Sequence, residues 1–186
     1  MNGIHRWYCR TDHWQRTVTG GLMPWVLRNV TLGDDVLEVG PGPGLTTDVL
    51  RQRTAKLTAV EIDDRLAAAL TARMAGTNVT VVHGDATELP FPDASFSAAV
   101  CCTMLHHVPT PELQDRLLGQ VARVLRPGGT FAGSDSLTGT MFRLFHVRDT
   151  LVPVPPETFA KRLEKHGFRD VRVKVHKKSF RFQATR

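Results

Sequence analysis

An apolar run at residues 36–39 leads directly into Gly40-Pro41-Gly42-Pro43-Gly44, with Glu38 set inside the run. Glycines at alternate positions let the backbone turn tightly and approach a ligand, and the helix that follows offers free N–H groups at that point. The spacing is E-x-G-x-G-x-G. A dinucleotide fingerprint needs G-x-G-x-x-G, and counting from Gly40 or Gly42 puts Leu45 or Thr47 where the third glycine belongs, so that reading fails. Two carboxylates extend the pattern. Glu61 stands 21 residues after Gly40 at the end of a second apolar run, where it can accept hydrogen bonds from ribose hydroxyls. Asp85, in His83-Gly84-Asp85-Ala86, follows a third run and can meet an adenine amino group. A glycine turn alone also suits a plain strand-to-helix connection; joined to the two acids it points to a nucleoside-bearing ligand.

These groups need a scaffold that brings the ends of several strands together. Short apolar runs at 36–39, 57–62, 79–82, 96–102 and 130–135 read as strands. Helical patterns lie between them: one at 45–53, one capped by Asp63 or Asp64 and stopping near Gly76, and one opened by Thr110-Pro111. The stripe Leu113, Leu117, Val121, Val124 belongs to the third, and Pro127-Gly128-Gly129 is expected to stop it. A last helix at 155–166 has Phe159 and Leu163 inward and Gly167 as its cap. Val171, Val173 and Val175, then Phe180, Phe182 and Ala184, alternate with polar residues on either side of Lys177-Lys178. This predicts two half-exposed strands in an antiparallel edge hairpin. The expected fold is α/β, a doubly wound, mostly parallel, seven-stranded sheet ending in that hairpin. Residues 136–154 show no clear period, and a connection of that length in a compact domain is usually functional.

The charge balance is +6, which raises the question of a nucleic-acid partner. Residues 1–156 hold 14 basic and 15 acidic side chains, whereas residues 157–186 hold 10 basic and 3 acidic. The surplus therefore belongs to the last helix and hairpin, and the near-neutral body argues against a chain clothed in nucleic acid. Basic residues on an edge pair also keep it from pairing with other chains. The longest stretch without Asp, Glu, Lys or Arg, residues 94–111, holds two prolines and two histidines and predicts no membrane span. The N-terminus shows no apolar signal segment. Cys9, Cys101 and Cys102 lack metal or disulfide spacing, so the adjacent pair reads as small core residues. A cytoplasmic location is expected.

Taken together, Val36-Leu-Glu-Val-Gly-Pro-Gly-Pro-Gly44, Val60-Glu-Ile-Asp63, Gly84-Asp-Ala-Thr-Glu-Leu-Pro-Phe91, Leu105-His-His-Val108 and Leu125-Arg-Pro-Gly-Gly129 resemble the class I S-adenosylmethionine-dependent methyltransferases, especially the type 11 group. The resemblance implies a Rossmann-like sheet and one domain over 1–186. Within it, 1–30 would be an N-terminal lid or packing segment and 36–135 the cofactor core. Residues 136–154 would be the acceptor segment, and 155–186 the last helix and edge hairpin. It implies S-adenosylmethionine as cofactor, S-adenosylhomocysteine as product, and no metal. Glu38, Gly40, Pro41, Gly42 and Gly44 would line the methionine and ribose part. Glu61 would hold the ribose, Ile62 beside it would contact the cofactor, and Asp85 with the Ala86 amide would read the adenine. The backbone at Cys102 and Thr103 would contact the methionine end. Ser97 departs from the family, which often has Asp there, at a position that does not normally touch cofactor.

A methyl on sulfonium is already activated, so alignment supplies much of the rate and a base is needed only for a protonated acceptor. His106 and His146 are the candidate bases, the latter with Asp149 nearby; for His106 a structural role is the competing reading. His5-Arg6-Trp7-Tyr8-Cys9 and His13-Trp14 suit either a lid over the cofactor mouth or an amphipathic helix packed on the sheet, and Leu22 and Trp25 suit packing. The implied enzyme transfers a methyl group to a small-molecule or carrier-bound metabolite. RNA methylation is the first alternative, because the glycine turn also resembles the ribosomal RNA adenine dimethylases. Cys102-Thr103-Met104-Leu105 stands where those enzymes place Asn and an aromatic. A non-catalytic cofactor-binding subunit is the second alternative. Oligomeric state is left open.

Overall fold

A computed structural model describes residues 11–147 and 149–186, so the aromatic cluster at residues 5–9 lies outside the described residues. Seven strands form one sheet: β1 (Asp35–Val39), β2 (Lys56–Glu61), β3 (Val79–His83), β4 (Phe96–Cys102), β5 (Leu125–Ser136), β6 (Arg169–His176) and β7 (Ser179–Thr185). Their order is β3-β2-β1-β4-β5-β7-β6. The first five run parallel, and β7 pairs antiparallel with both β5 and β6. The helices are α1 (Asp12–Thr17), α2 (Met23–Val26), α3 (Leu45–Leu50), α4 (Asp64–Met74), α5 (Pro111–Val124), α6 (Thr140–Phe145) and α7 (Pro156–Lys165). A π-helical turn, Val18–Leu22, joins α1 to α2.

Both faces of β1, β2 and β4 are covered, which is why they read as nearly unbroken apolar runs, whereas β3 at the sheet edge stays partly exposed. Leu37, Val39, Ala99, Cys101 and Phe131 face one layer, where α5 inserts Leu117, Leu118 and Val121 and α7 inserts Phe159 and Leu163. Val36, Leu57, Ala98 and Val100 face the other, against Val18, Met23, Val26 and Leu50. Farther along that second face, Ala59 meets Leu70 and Met74 of α4. The expected caps form: Asp63 accepts the Leu66 amide at 3.1 Å, and Thr110 accepts the Leu113 amide at 3.2 Å.

Three local expectations change. The helix before Pro127-Gly128-Gly129 stops at Val124 instead, because Leu125 already pairs with Phe96 and strand β5 runs through the glycines. The terminal hairpin is not two equivalent half-exposed strands. Strand β7 lies inside the sheet with Phe180, Phe182 and Ala184 buried, and β6 alone is the exposed edge, leaving Val175 51% exposed. Within residues 136–154 the chain also forms the short helix α6.

Candidate active site

Strands β1, β2, β3 and β4 end on one side of the sheet, and there they open onto a cavity of about 1070 Å³. Open α/β sheets bind ligands at this end. The glycine turn forms its floor. Gly40, Gly42 and Gly44 all have positive φ (68°, 55° and 84°), the region glycine adopts at no steric cost. At Gly40 the space a Cβ would need is filled by the Met104 side chain, and at Gly44 by Leu70 and Arg73. Arg73 of α4 clamps the turn from behind. Its guanidinium donates to the carbonyls of Pro43 and Gly44, both at 2.9 Å, and pairs with Asp48 at 2.6 Å.

The sequence-derived positions divide into two groups. Gly40, Pro41, Gly42, Glu61, Ile62, Asp85, Ala86, Cys102 and Thr103 all line the cavity, together with His106 and His146. Glu38 and Gly44 do not. Glu38 lies under the turn, 2% exposed, accepting the hydroxyls of Thr46 and Thr47. Burial drives its carboxyl up to about 7, with the charges of Asp48 and Glu61 adding to the effect and the two threonine bonds opposing it.

Glu61 already does local work: one oxygen accepts the Gly42 amide at 2.9 Å, the other the Asp63 amide at 3.0 Å. Each carboxylate oxygen can accept more than one bond, so the group binds the two loops together and still faces the cavity. Ile62 beside it is 65% exposed, an apolar surface at the cavity rim. Asp85 accepts the Thr87 amide at 2.8 Å, which fixes its carboxylate at the end of β3. Thr103 has φ 52°, an uncommon conformation for a β-branched residue, held by its N–H donating to the Ser134 carbonyl at 2.8 Å. Such strain costs about 1–3 kcal/mol and collects at functional sites. Cys101 and Cys102 are free and buried, and burial raises both thiols, Cys102 to about 12, so neither is an activated nucleophile.

Apolar and aromatic side chains also line the cavity, Trp14, Val18 and Leu22 from one face of the sheet and Leu113 from the other, with Phe142 and three imidazoles, His106, His107 and His146. Trp14 and Leu22 thus reach the cavity as well as packing on the sheet, while Trp25 packs against His176 and under Arg181. His106 meets a residue that the sequence reading passed over. Asp135, fully buried on β5, accepts from the His106 ring Nδ1 at 2.5 Å and from its backbone amide at 3.2 Å. A carboxylate at the carboxyl end of a strand legible in the sequence was the available signal. Gln114 and Val152 brace the same turn: the Gln114 amide donates to the Leu105 carbonyl at 3.1 Å, and the Val152 amide to the His106 carbonyl at 2.8 Å. His146 turns its Nδ1 to the Phe142 carbonyl at 2.7 Å, and the Asp149 carboxylate accepts the Thr150 amide at 2.9 Å. Lys177 and Lys178, from the hairpin turn, complete the rim.

The methyltransferase domain family of type 11 matches residues 37–133. The 27-O-demethylrifamycin SV methyltransferase of Amycolatopsis mediterranei is 36% identical over 114 residues, covering 56% of this chain and 39% of that protein. A probable ribosomal RNA small subunit methyltransferase A of Thermococcus onnurineus is 43% identical over 60 residues, covering 32% of this chain and 22% of that protein. The chain thus spans well under half the length of these curated relatives. A S-adenosylmethionine-dependent methyltransferase of Aquifex aeolicus has the same fold, with a TM-score of 0.77 at 20% identity over 100% of this chain and 98% of that one. The match over the strands that carry the glycine turn and both acids shows that the chain belongs to the type 11 family of class I S-adenosylmethionine-dependent methyltransferases.

Proposed function

We propose that the protein transfers the methyl group of S-adenosylmethionine to a small-molecule or carrier-bound acceptor by in-line displacement. The observation that carries this reading is a single cavity lined by two unlike sets of residues. One set is the glycine turn with Glu61 and Asp85; the other is apolar side chains with three imidazoles. Its volume of about 1070 Å³ is at the upper end of small-molecule sites, enough for a nucleoside cofactor and an acceptor side by side.

In this reading Gly40, Pro41 and Gly42 cradle the methionine and ribose portion, and Glu61 accepts the ribose hydroxyls. Ile62 packs on the adenine, whose amino group Asp85 and Ala86 recognise, and the backbone of Cys102 and Thr103 meets the methionine end. Glu38 and Gly44 act one layer down by holding the turn in shape. The sulfonium charge disappears as the methyl leaves, so an apolar surrounding does not penalise the transition state. Acceptor alignment falls to Phe142 and the apolar residues Trp14 and Leu22, while Leu113, on the helix packed against the Ala86 turn, lies on the adenine side. His106, held in place by Asp135, shapes the cavity lining beside the acceptor.

A carrier-bound acceptor is favoured by Lys177 and Lys178 on the rim, since an acidic carrier would dock there. RNA methylation is the second reading: relatives named for ribosomal RNA match 60 and 94 residues of the chain, but basic side chains line the cavity only at that turn among the described residues. The test is incubation of the protein with methyl-labelled cofactor and a metabolite extract, with a Glu61→Ala control. Label moving to a small molecule or carrier in a Glu61-dependent way is the expected result. Tight S-adenosylhomocysteine binding with no label transferred to any fraction would favour a non-catalytic subunit.

A further inference from the structure

We propose that His106, His107 and His146 bind one divalent transition-metal ion at the acceptor side of the cavity. One ring nitrogen from each lies within 4.8 Å of the others. The rings converge, with centroids 4.2 Å apart for His106 and His107, 5.1 Å for His106 and His146, and 5.2 Å for His107 and His146.

The tautomers carry the argument. Asp135 accepts from the Nδ1 of His106, which places that ring's proton on Nδ1 and a lone pair on Nε2. The Nε2 is buried and has no hydrogen-bond partner among the described residues. A buried polar atom left so is costly unless something else satisfies it. The Phe142 carbonyl can only accept, so the His146 Nδ1 must donate to it, and the lone pair of His146 is also on Nε2. Two imidazoles with Nδ1–H held by a carboxylate and a backbone carbonyl are oriented as metal-binding histidines are. Packing alone requires neither bond.

Three imidazoles without a carboxylate in the set suit zinc, cobalt, nickel or copper and not magnesium or calcium, which prefer oxygen. Three protein ligands also leave a fourth position, and here the cavity supplies it. Metal–nitrogen bonds of about 2.0–2.1 Å require the nitrogens to draw together. His146 follows the short helix α6 and closes the set by a small movement of that segment. This deepens, and depends on, the methyl-transfer reading for its consequence. An acceptor hydroxyl or thiol taking the fourth position releases its proton to water. Its lone pair then bonds to the methyl carbon as the carbon–sulfur bond breaks, and that bonding pair returns to sulfur to give neutral S-adenosylhomocysteine.

The test uses untagged protein stripped with a chelator and titrated with Co²⁺, then challenged with Zn²⁺. One equivalent should produce an intense visible ligand-field band that Zn²⁺ abolishes. His106→Ala and His146→Gln should remove the band, and Asp135→Asn should weaken Co²⁺ binding about 10–100-fold. Because Asp135 is buried and its variant can fail to fold, His146→Gln is the decisive one, with S-adenosylhomocysteine calorimetry as the check of folding. Absence of the band in the wild-type protein, or its survival in His146→Gln, overturns the site. S-Adenosylhomocysteine binding without Co²⁺ binding removes only the metal; Co²⁺ binding without S-adenosylhomocysteine binding removes only the methyl-transfer reading.

Discussion

Glu38 shows how a single side chain can matter to the site without touching it. Its carboxyl is held near 7 in the fold against 4.5 when exposed, so the folded state retains the proton over that interval. The stability it contributes is complete below about pH 4.5 and is lost as pH rises through 7. Glu38→Gln removes the titration. The unfolding free energy of wild type from urea denaturation should therefore fall relative to the variant between pH 5 and 8, by up to about 3 kcal/mol at about 1.4 kcal/mol per pH unit. Parallel curves would show that the burial is not felt. Asp85→Asn should alter S-adenosylhomocysteine affinity only slightly in calorimetry, because a carbonyl oxygen still accepts from adenine. The role of His106 was not legible as such. Its partner Asp135 is 29 residues away in the chain, and only the pairing of β4 with β5 brings the two together.

At the scale of elements, the strands were readable because burial writes short apolar runs into the sequence, whereas their order in the sheet came only with the fold. The end of α5 was not, since Pro127-Gly128-Gly129 looks like a stop until Leu125 is seen pairing with Phe96. Arg73 was equally hidden: it sits on the exposed side of α4 as an ordinary surface arginine, yet it grips two carbonyls of the glycine turn. Arg73→Ala should weaken S-adenosylhomocysteine binding about threefold to tenfold in calorimetry through a looser turn, with little change in thermal midpoint; unchanged affinity would show that the turn holds its shape unaided. Gly44→Ala should lower stability by about 1–3 kcal/mol in urea denaturation, since φ 84° and the contacts with Leu70 and Arg73 both oppose a side chain. A variant as stable as wild type would contradict that packing.

Across the whole molecule, the high pI resolves into a few local roles. Arg181 lies over Trp25 at 5.6 Å, Arg186 donates to the Ala122 carbonyl at 2.7 Å, and Arg162 pairs with Asp115 at 2.7 Å, so part of the surplus ties the last elements to the body. Lys177 and Lys178 differ because they reach the cavity rim. For an acidic carrier-bound acceptor, kcat/KM should fall as salt rises, and Lys177→Glu with Lys178→Glu should flatten that dependence in initial-rate assays. No helix among the described residues is long and apolar enough to cross a membrane. The glycine turn and its two acids were written in local spacing, whereas the imidazole cluster joins residues from two distant segments and shows itself only in the fold. The central claim is that this cavity binds the adenosyl cofactor. Calorimetric titration with S-adenosylhomocysteine tests it most directly: one site should saturate in wild type, and Glu61→Ala should lose roughly 1–3 kcal/mol of affinity. No binding by the wild type, or equal affinity in the variant, would contradict it.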